Sequence, residues 1–69
     1  MNFFVIFQDV VLKTYVVFRY HIVGHREVPD DKPYCVTPTL ERARNALPAD
    51  LVRVPRYAIE DPSVVETWL

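Results

Sequence analysis

His21 and His25 stand four residues apart, with Glu27, Asp30, Asp31 and Cys35 following closely. Imidazole, thiolate and carboxylate are the protein ligands of zinc, so zinc is the first chemistry to weigh. The spacing argues against it. Four residues bring two rings together on a helix, but on a strand rising about 3.3 Å per residue they lie about 13 Å apart. No paired-ligand motif accompanies them, and no metal is assigned. Cys35 with either histidine is also the raw material of a thiol nucleophile, which needs a base or a helix N-terminus to lower its pKa. Nothing marks an oxyanion hole, and 69 residues leave little volume for a substrate pocket. A structural cysteine is the better reading. The carboxylates Asp30–Asp31 and Glu60–Asp61 are adjacent pairs beside prolines, where neighbouring side chains point apart and serve turns and caps. A single glycine excludes a glycine-rich phosphate loop. No catalytic or cofactor-binding residue is assigned, and the chain is expected not to be an enzyme.

The cations are more suggestive. Arg42, Arg44, Arg53 and Arg56 outnumber Glu41 and Asp50 in the middle of the chain, with Tyr57 beside them. Arginine and aromatic residues together suit nucleic acid, but such modules are usually basic and display their aromatics on an open sheet. This chain has a net charge of −1, its aromatics fall mostly in core positions, and Glu41 precedes Arg44 at helix-pairing distance. Nucleic acid is therefore the alternative reading. The same residues, Arg42, Arg44, Arg53, Arg56 and Tyr57, join Trp68 as the expected contact set for a protein partner.

The elements that must position these groups follow from periodicity. Phe3, Val5 and Phe7 share one face of an extended segment and Phe4 and Ile6 the other, the pattern of an interior strand. Val10, Val11 and Leu12 fall in a connection without glycine, so a wide loop is expected rather than a two-residue hairpin. From Thr14 to Val23 the chain alternates, with Val16, Phe18, Tyr20 and Ile22 on the face assigned to the core. Val11, Tyr15, Phe18 and Ile22 also fit a helix, but β-branched and aromatic content favours a strand. Gly24 ends it, and Val28 to Pro38, with three prolines, reads as loop.

A helix follows, with Thr37 as N-cap and Pro38 at its first position. Leu40, Ala43 and Leu47 line one side, and Pro48 stops it. Leu51 to Val54 is a third strand. Val64 to Trp68 is the last element, read as a strand over a short helix capped by Asp61. The run from Phe3 to Val23 is no membrane span, because Asp9, Lys13 and Arg19 each cost about 2.5 to 3.5 kcal/mol at a bilayer centre. Met1 and Asn2 supply no basic leader. One cysteine points to a reducing compartment, and the location expected is cytoplasmic.

Pro33-Tyr34-Cys35-Val36-Thr37, followed by Thr39-Leu40-Glu41-Arg42-Ala43-Arg44-Asn45-Ala46, resembles HicB-like antitoxin domains. There a strand pair ends in a proline and cysteine turn that leads into a Thr-Leu-Glu-x-Ala helix. The likeness covers residues 1–50. Tyr34 stands where that family favours glycine, and the helix ends early. The resemblance implies a domain that sheathes a toxin or similar protein without binding DNA itself.

These readings give one α+β domain over residues 1–69, an antiparallel or mixed sheet of three to five strands with one helix packed on one face. Phe18 is expected to face Leu40 across the sheet–helix interface. The expected function is binding a protein partner, as an inhibitor or antitoxin-like regulator. Alternatives are a phage-type inhibitor of a host defence complex and a small nucleic-acid-binding protein using Arg42, Arg44, Arg53 and Arg56. The segment Val64 to Leu69 is expected at a sheet edge, where Trp68 would be covered by a second subunit or by the partner.

Overall fold

The computed structural model describes residues 2–55 and 59–69. Among the described residues, six strands and one helix follow in the order β1 (Asn2–Asp9), β2 (Thr14–Val23), β3 (Arg26–Pro29), β4 (Cys35–Thr37), α1 (Leu40–Asn45), β5 (Arg53–Val54) and β6 (Val64–Trp68). They form one sheet in the order β3-β2-β1-β6-β5, with β4 also on β2, and every pairing is antiparallel. The sheet with one helix is as the sequence predicts, but six strands exceed the three to five expected. The segment Val28 to Pro38, read as loop, contains all of β4 and the second half of β3.

β1 is central, and its residues Phe3, Phe4, Val5 and Ile6 are all buried, as apolar character on both faces requires. A four-residue loop, Val10 to Lys13, joins it to β2. Lys13 there has a φ of 55°. Gly24, with φ 64°, opens the tight turn between Val23 and Arg26, a left-handed conformation that glycine adopts without a Cβ clash.

β3 and β4 lie end to end along β2. Tyr20 pairs with Pro29 and Val17 with Cys35, so residues 30–34 make an excursion from the edge. The backbone N–H of Asp30 donates to the Arg19 carbonyl at 2.9 Å as the excursion begins. Tyr34 closes it by packing edge-on against Phe4, with ring centroids 5.0 Å apart.

Residues directly opposite in the sheet share a face, which separates two apolar clusters. Phe4, Ile6, Val17 and Ala43 form one, with Tyr15, Cys35, Leu40, Leu47, Leu51 and Trp68 packed around them. Phe3, Val5 and Tyr20 form the other, with Phe7, Phe18, Ile59, Val64 and Leu69. The helix covers the first. Phe18 and Leu40 thus lie on opposite sides of the sheet and do not face each other. Both faces of β2 are apolar near its middle, so alternation defines two faces without saying which receives the helix.

The N-cap is Thr39 rather than Thr37. Its Oγ1 accepts from the Arg42 N–H at 3.2 Å, while the Thr37 hydroxyl donates to the Thr39 carbonyl at 2.8 Å. The helix is correspondingly short, and Leu47 packs on the core from beyond its end. A helix of this length does not hold itself together, so the fully buried Ala43 and the flanking leucines fix it to the sheet.

β6 lies between β1 and β5 and is not an edge. β5 has two residues, and Val52 extends its ladder through paired backbone hydrogen bonds with Leu69 of 2.9 and 2.8 Å. The expected self-association through an exposed Val64–Leu69 edge therefore has no such edge to use. Among the described residues no helix is long and apolar enough to cross a membrane, and the run from Phe3 to Val23 is the β1–β2 pair.

Candidate functional site

Glu66 sits in β6 opposite Ile6, so its side chain emerges on the face that carries the helix. It is 7% exposed. A carboxylate in such a place must be paired and hydrogen-bonded or it forfeits its hydration uncompensated. Three donors converge on it. From the helix, Arg44 Nε donates to Oε1 and Oε2 at 2.9 and 3.0 Å, and Arg44 Nη2 also contacts Oε2. From β5, Arg53 Nη1 donates to Oε2 at 3.3 Å. Two residues along β6, Trp68 Nε1 donates to Oε1 at 2.9 Å.

Each element contributes for a local reason. Residues 66 and 68 share a strand face because side chains alternate. Arg53 is the register partner of Trp68, which places it over the same face. Ala43 turns into the core, and the next residue, Arg44, reaches sideways to β6. The Arg44 hydrogen bonds hold the Glu66 carboxyl below the usual carboxylate range, against the opposing effect of burial and with help from Trp68 and Arg53. The same bonds raise the Arg44 guanidinium above its ordinary value, with Glu41 a smaller contributor. Arg44 is thus partnered mainly across the sheet by Glu66, not along the helix by Glu41.

Of the six predicted contact residues, Arg44, Arg53 and Trp68 meet at this carboxylate. Arg42 is exposed on the helix surface, apart from the cluster. Arg56 and Tyr57 lie outside the described residues. The residue missed from the sequence is Glu66 itself. An acidic residue inside the run Val64 to Trp68, with a surplus of arginines upstream, was the available signal.

The other candidates part company. His21 Nδ1 lies 3.2 Å from Asp30 Oδ1, and Arg19 Nε donates to Asp30 Oδ2 at 2.9 Å. Asp30 is thus a tether between the excursion and β2, more than a turn residue. His25 is exposed in the following turn. Among the described residues no three His, Cys, Asp or Glu side chains group as metal ligands. Burial pushes the Cys35 thiol up, the reverse of what activates a nucleophile. Asp61 is a turn residue as expected, since its Oδ1 accepts from the Ser63 N–H and hydroxyl at 2.8 and 2.7 Å. No family, curated protein or solved structure matches the chain.

Proposed function

We propose that this chain is a small non-enzymatic module that binds a protein partner, with an acidic segment of that partner docking where Arg44, Arg53 and Trp68 converge. The observation that carries this reading is an excess of donors. Two guanidinium groups and an indole share one carboxylate, and the Arg44 and Arg53 side chains remain 42% and 60% exposed. Each guanidinium has five N–H groups, only part of which Glu66 engages. With the carboxylate oriented beneath them, the guanidinium planes are held ready for a second acid, and holding them in place limits the entropy lost on binding.

The role of inhibitor or antitoxin-like regulator draws on the likeness of residues 33–46 to HicB-like domains. A phage-type inhibitor of a host defence complex would make the same demands on the surface. Nucleic acid is the competing ligand for the same arginines, and Glu66 counts against it by neutralising one of the two charges gathered there.

Capture from the source cell identifies a partner for purification, and titration calorimetry then compares the wild type with Arg53→Glu. Arg53 is the more exposed of the two bases; because a glutamate there faces Glu66, Arg53→Gln is measured beside it, and a thermal melt checks that each variant folds. Affinity should fall at least tenfold. Unchanged affinity would overturn the assigned face. Tight binding to a labelled oligonucleotide, weakening steeply with salt as phosphate contacts require, would overturn the protein-binding reading.

A further inference from the structure

At the β1–β2 connection, Val10, Val11 and Leu12 are 72, 85 and 71% exposed. Chain reversals normally use Gly, Asn, Asp or Ser. Three consecutive aliphatic side chains so exposed contribute little to the fold, and exposed apolar groups gathered in one place mark contact sites. The loop is nevertheless held in shape. Asp9 Oδ1 accepts from the Val11 N–H at 3.1 Å and the Leu12 N–H at 3.0 Å, and Lys13 takes a left-handed φ of 55° without being glycine. Such a backbone persists only where its surroundings fix it. The result is an exposed, preshaped apolar tip at the end of the two longest strands.

An exposed apolar tip can enter a cleft of a protein or insert into a lipid surface, and the neighbouring charges distinguish them. Lipid-inserting tips rely on Trp or Tyr at the interface and on basic residues that meet anionic headgroups. Here the three residues are aliphatic and Lys13 is the one base in the loop. Asp9 stands at its foot. A hydrogen bond of 2.8 Å from the Gln8 N–H to the Ser63 carbonyl brings the turn containing Asp61 alongside. The two carboxylates repel an anionic bilayer and suit a protein rim of positive charge.

We infer that the Val10–Leu12 tip inserts into an apolar cleft of a protein partner whose rim is basic. The inference rests on the protein-binding reading and adds a second anchor to it, distant in character from the arginine face. Leu12 and Val11 fill the cleft, and the Asp9 turn delivers them in a fixed conformation with little ordering cost.

The test uses the full chain and the purified partner. Leu12→Asp should weaken binding at least tenfold while the circular dichroism and thermal midpoint stay at wild type, because the side chain makes few internal contacts. A benzophenone amino acid in place of Val11 should cross-link to apolar residues lining one concavity of the partner. Wild-type affinity for Leu12→Asp, with Arg53→Glu still weakened, would overturn the tip and leave the proposed function standing. Absence of any purified protein that binds would overturn both. Tip-dependent sedimentation with phosphatidylcholine and phosphatidylglycerol vesicles, or cross-links only between copies of this chain, would assign the tip to a lipid surface or to self-association and overturn the inference.

Discussion

The two faces of the sheet are built from the same strands and solve burial differently. On the helix face, Phe4, Ile6 and Val17 lie beneath Ala43, and charge is admitted in organised groups: Glu66 with Arg44 and Arg53, and Asp30 with Arg19 and His21. On the other face the cluster is aromatic. Phe3 stacks on Tyr20 at 5.3 Å with their planes 17° apart, and Phe7 meets Phe18 edge-on at 5.9 Å. Ile59, Val64 and Leu69 pack around them. Packing of aromatic and aliphatic side chains dominates the aromatic face, whereas the helix face also carries buried and half-buried ion pairs. The difference shows that a small domain can reserve one face for packing and use the other to present charge.

The largest test of that division removes a fully buried side chain from each side. Phe3→Ala should cost about 3 to 5 kcal/mol and Ile6→Ala about 2 to 5 kcal/mol, read from urea denaturation. In a domain of marginal stability either loss is severe. A small cost for Phe3→Ala alone would mean that the aromatic face is not an independent core.

Glu66→Ala comes next. It leaves the Trp68 indole N–H without its acceptor and two guanidinium groups without their anion, so a loss of about 1 to 3 kcal/mol is expected. Equal stability of Glu66→Ala and the wild type would make the buried carboxylate incidental.

The Glu66 carboxyl on the helix face and the Tyr20 phenol on the aromatic face should titrate at opposite ends of the pH scale. The folded Glu66 carboxyl titrates below its ordinary 4.5, so its contribution is present above that value and is lost as pH falls through the lowered one. Asp61, lowered by Ser63, acts in the same direction from 3.8. Tyr20 is raised above 10.0 by burial and then by the charge of Asp61, so its contribution is present below pH 10 and is lost as pH rises through the raised value. Denaturation midpoints across pH should lose part of their acid slope in Glu66→Gln and part of their alkaline slope in Tyr20→Phe. The Asp61→Asn and Cys35→Ala variants separate the remaining contributions, since the Cys35 thiol is raised from 9.0.

The smallest effect maps a border. Val36 is 57% exposed and lies opposite Val16, at the margin of the aromatic face. Val36→Lys should change stability by less than about 0.5 kcal/mol. A larger loss would extend the aromatic core to β4.

The central strand was legible because Phe3 to Phe7 are apolar on both sides, a pattern with few alternatives. The last strand was legible from Val64, Val65, Thr67 and Trp68. Their positions in the sheet were not, because strand order is set by long-range pairing that leaves no local trace. β3 and β4 were hidden for a related reason. Pro29 and Pro33 signal a loop, yet edge strands tolerate proline, and the excursion at 30–34 satisfies both tendencies. The cap moved from Thr37 to Thr39 because both threonines suit the role and only the path of the backbone chooses between them. In the site, arginine and tryptophan stood out by residue type. Glu66 did not, since its meaning comes from three partners that reach it from two other elements and from two residues along its own strand.

The broken border formed by β3 and β4 bears on how this chain tolerates its own concentration. A sheet can recruit a foreign strand wherever a row of N–H and C=O groups stands open, and this is the usual first step toward fibres. Here the row is interrupted by residues 30–34, and Pro29 has no N–H to offer. At the opposite border β5 ends after two residues, before Pro55. A strand arriving at either border finds too short a template to hold, so a crowded solution of this protein should resist stacking sheet upon sheet even though half of its residues are hydrophobic.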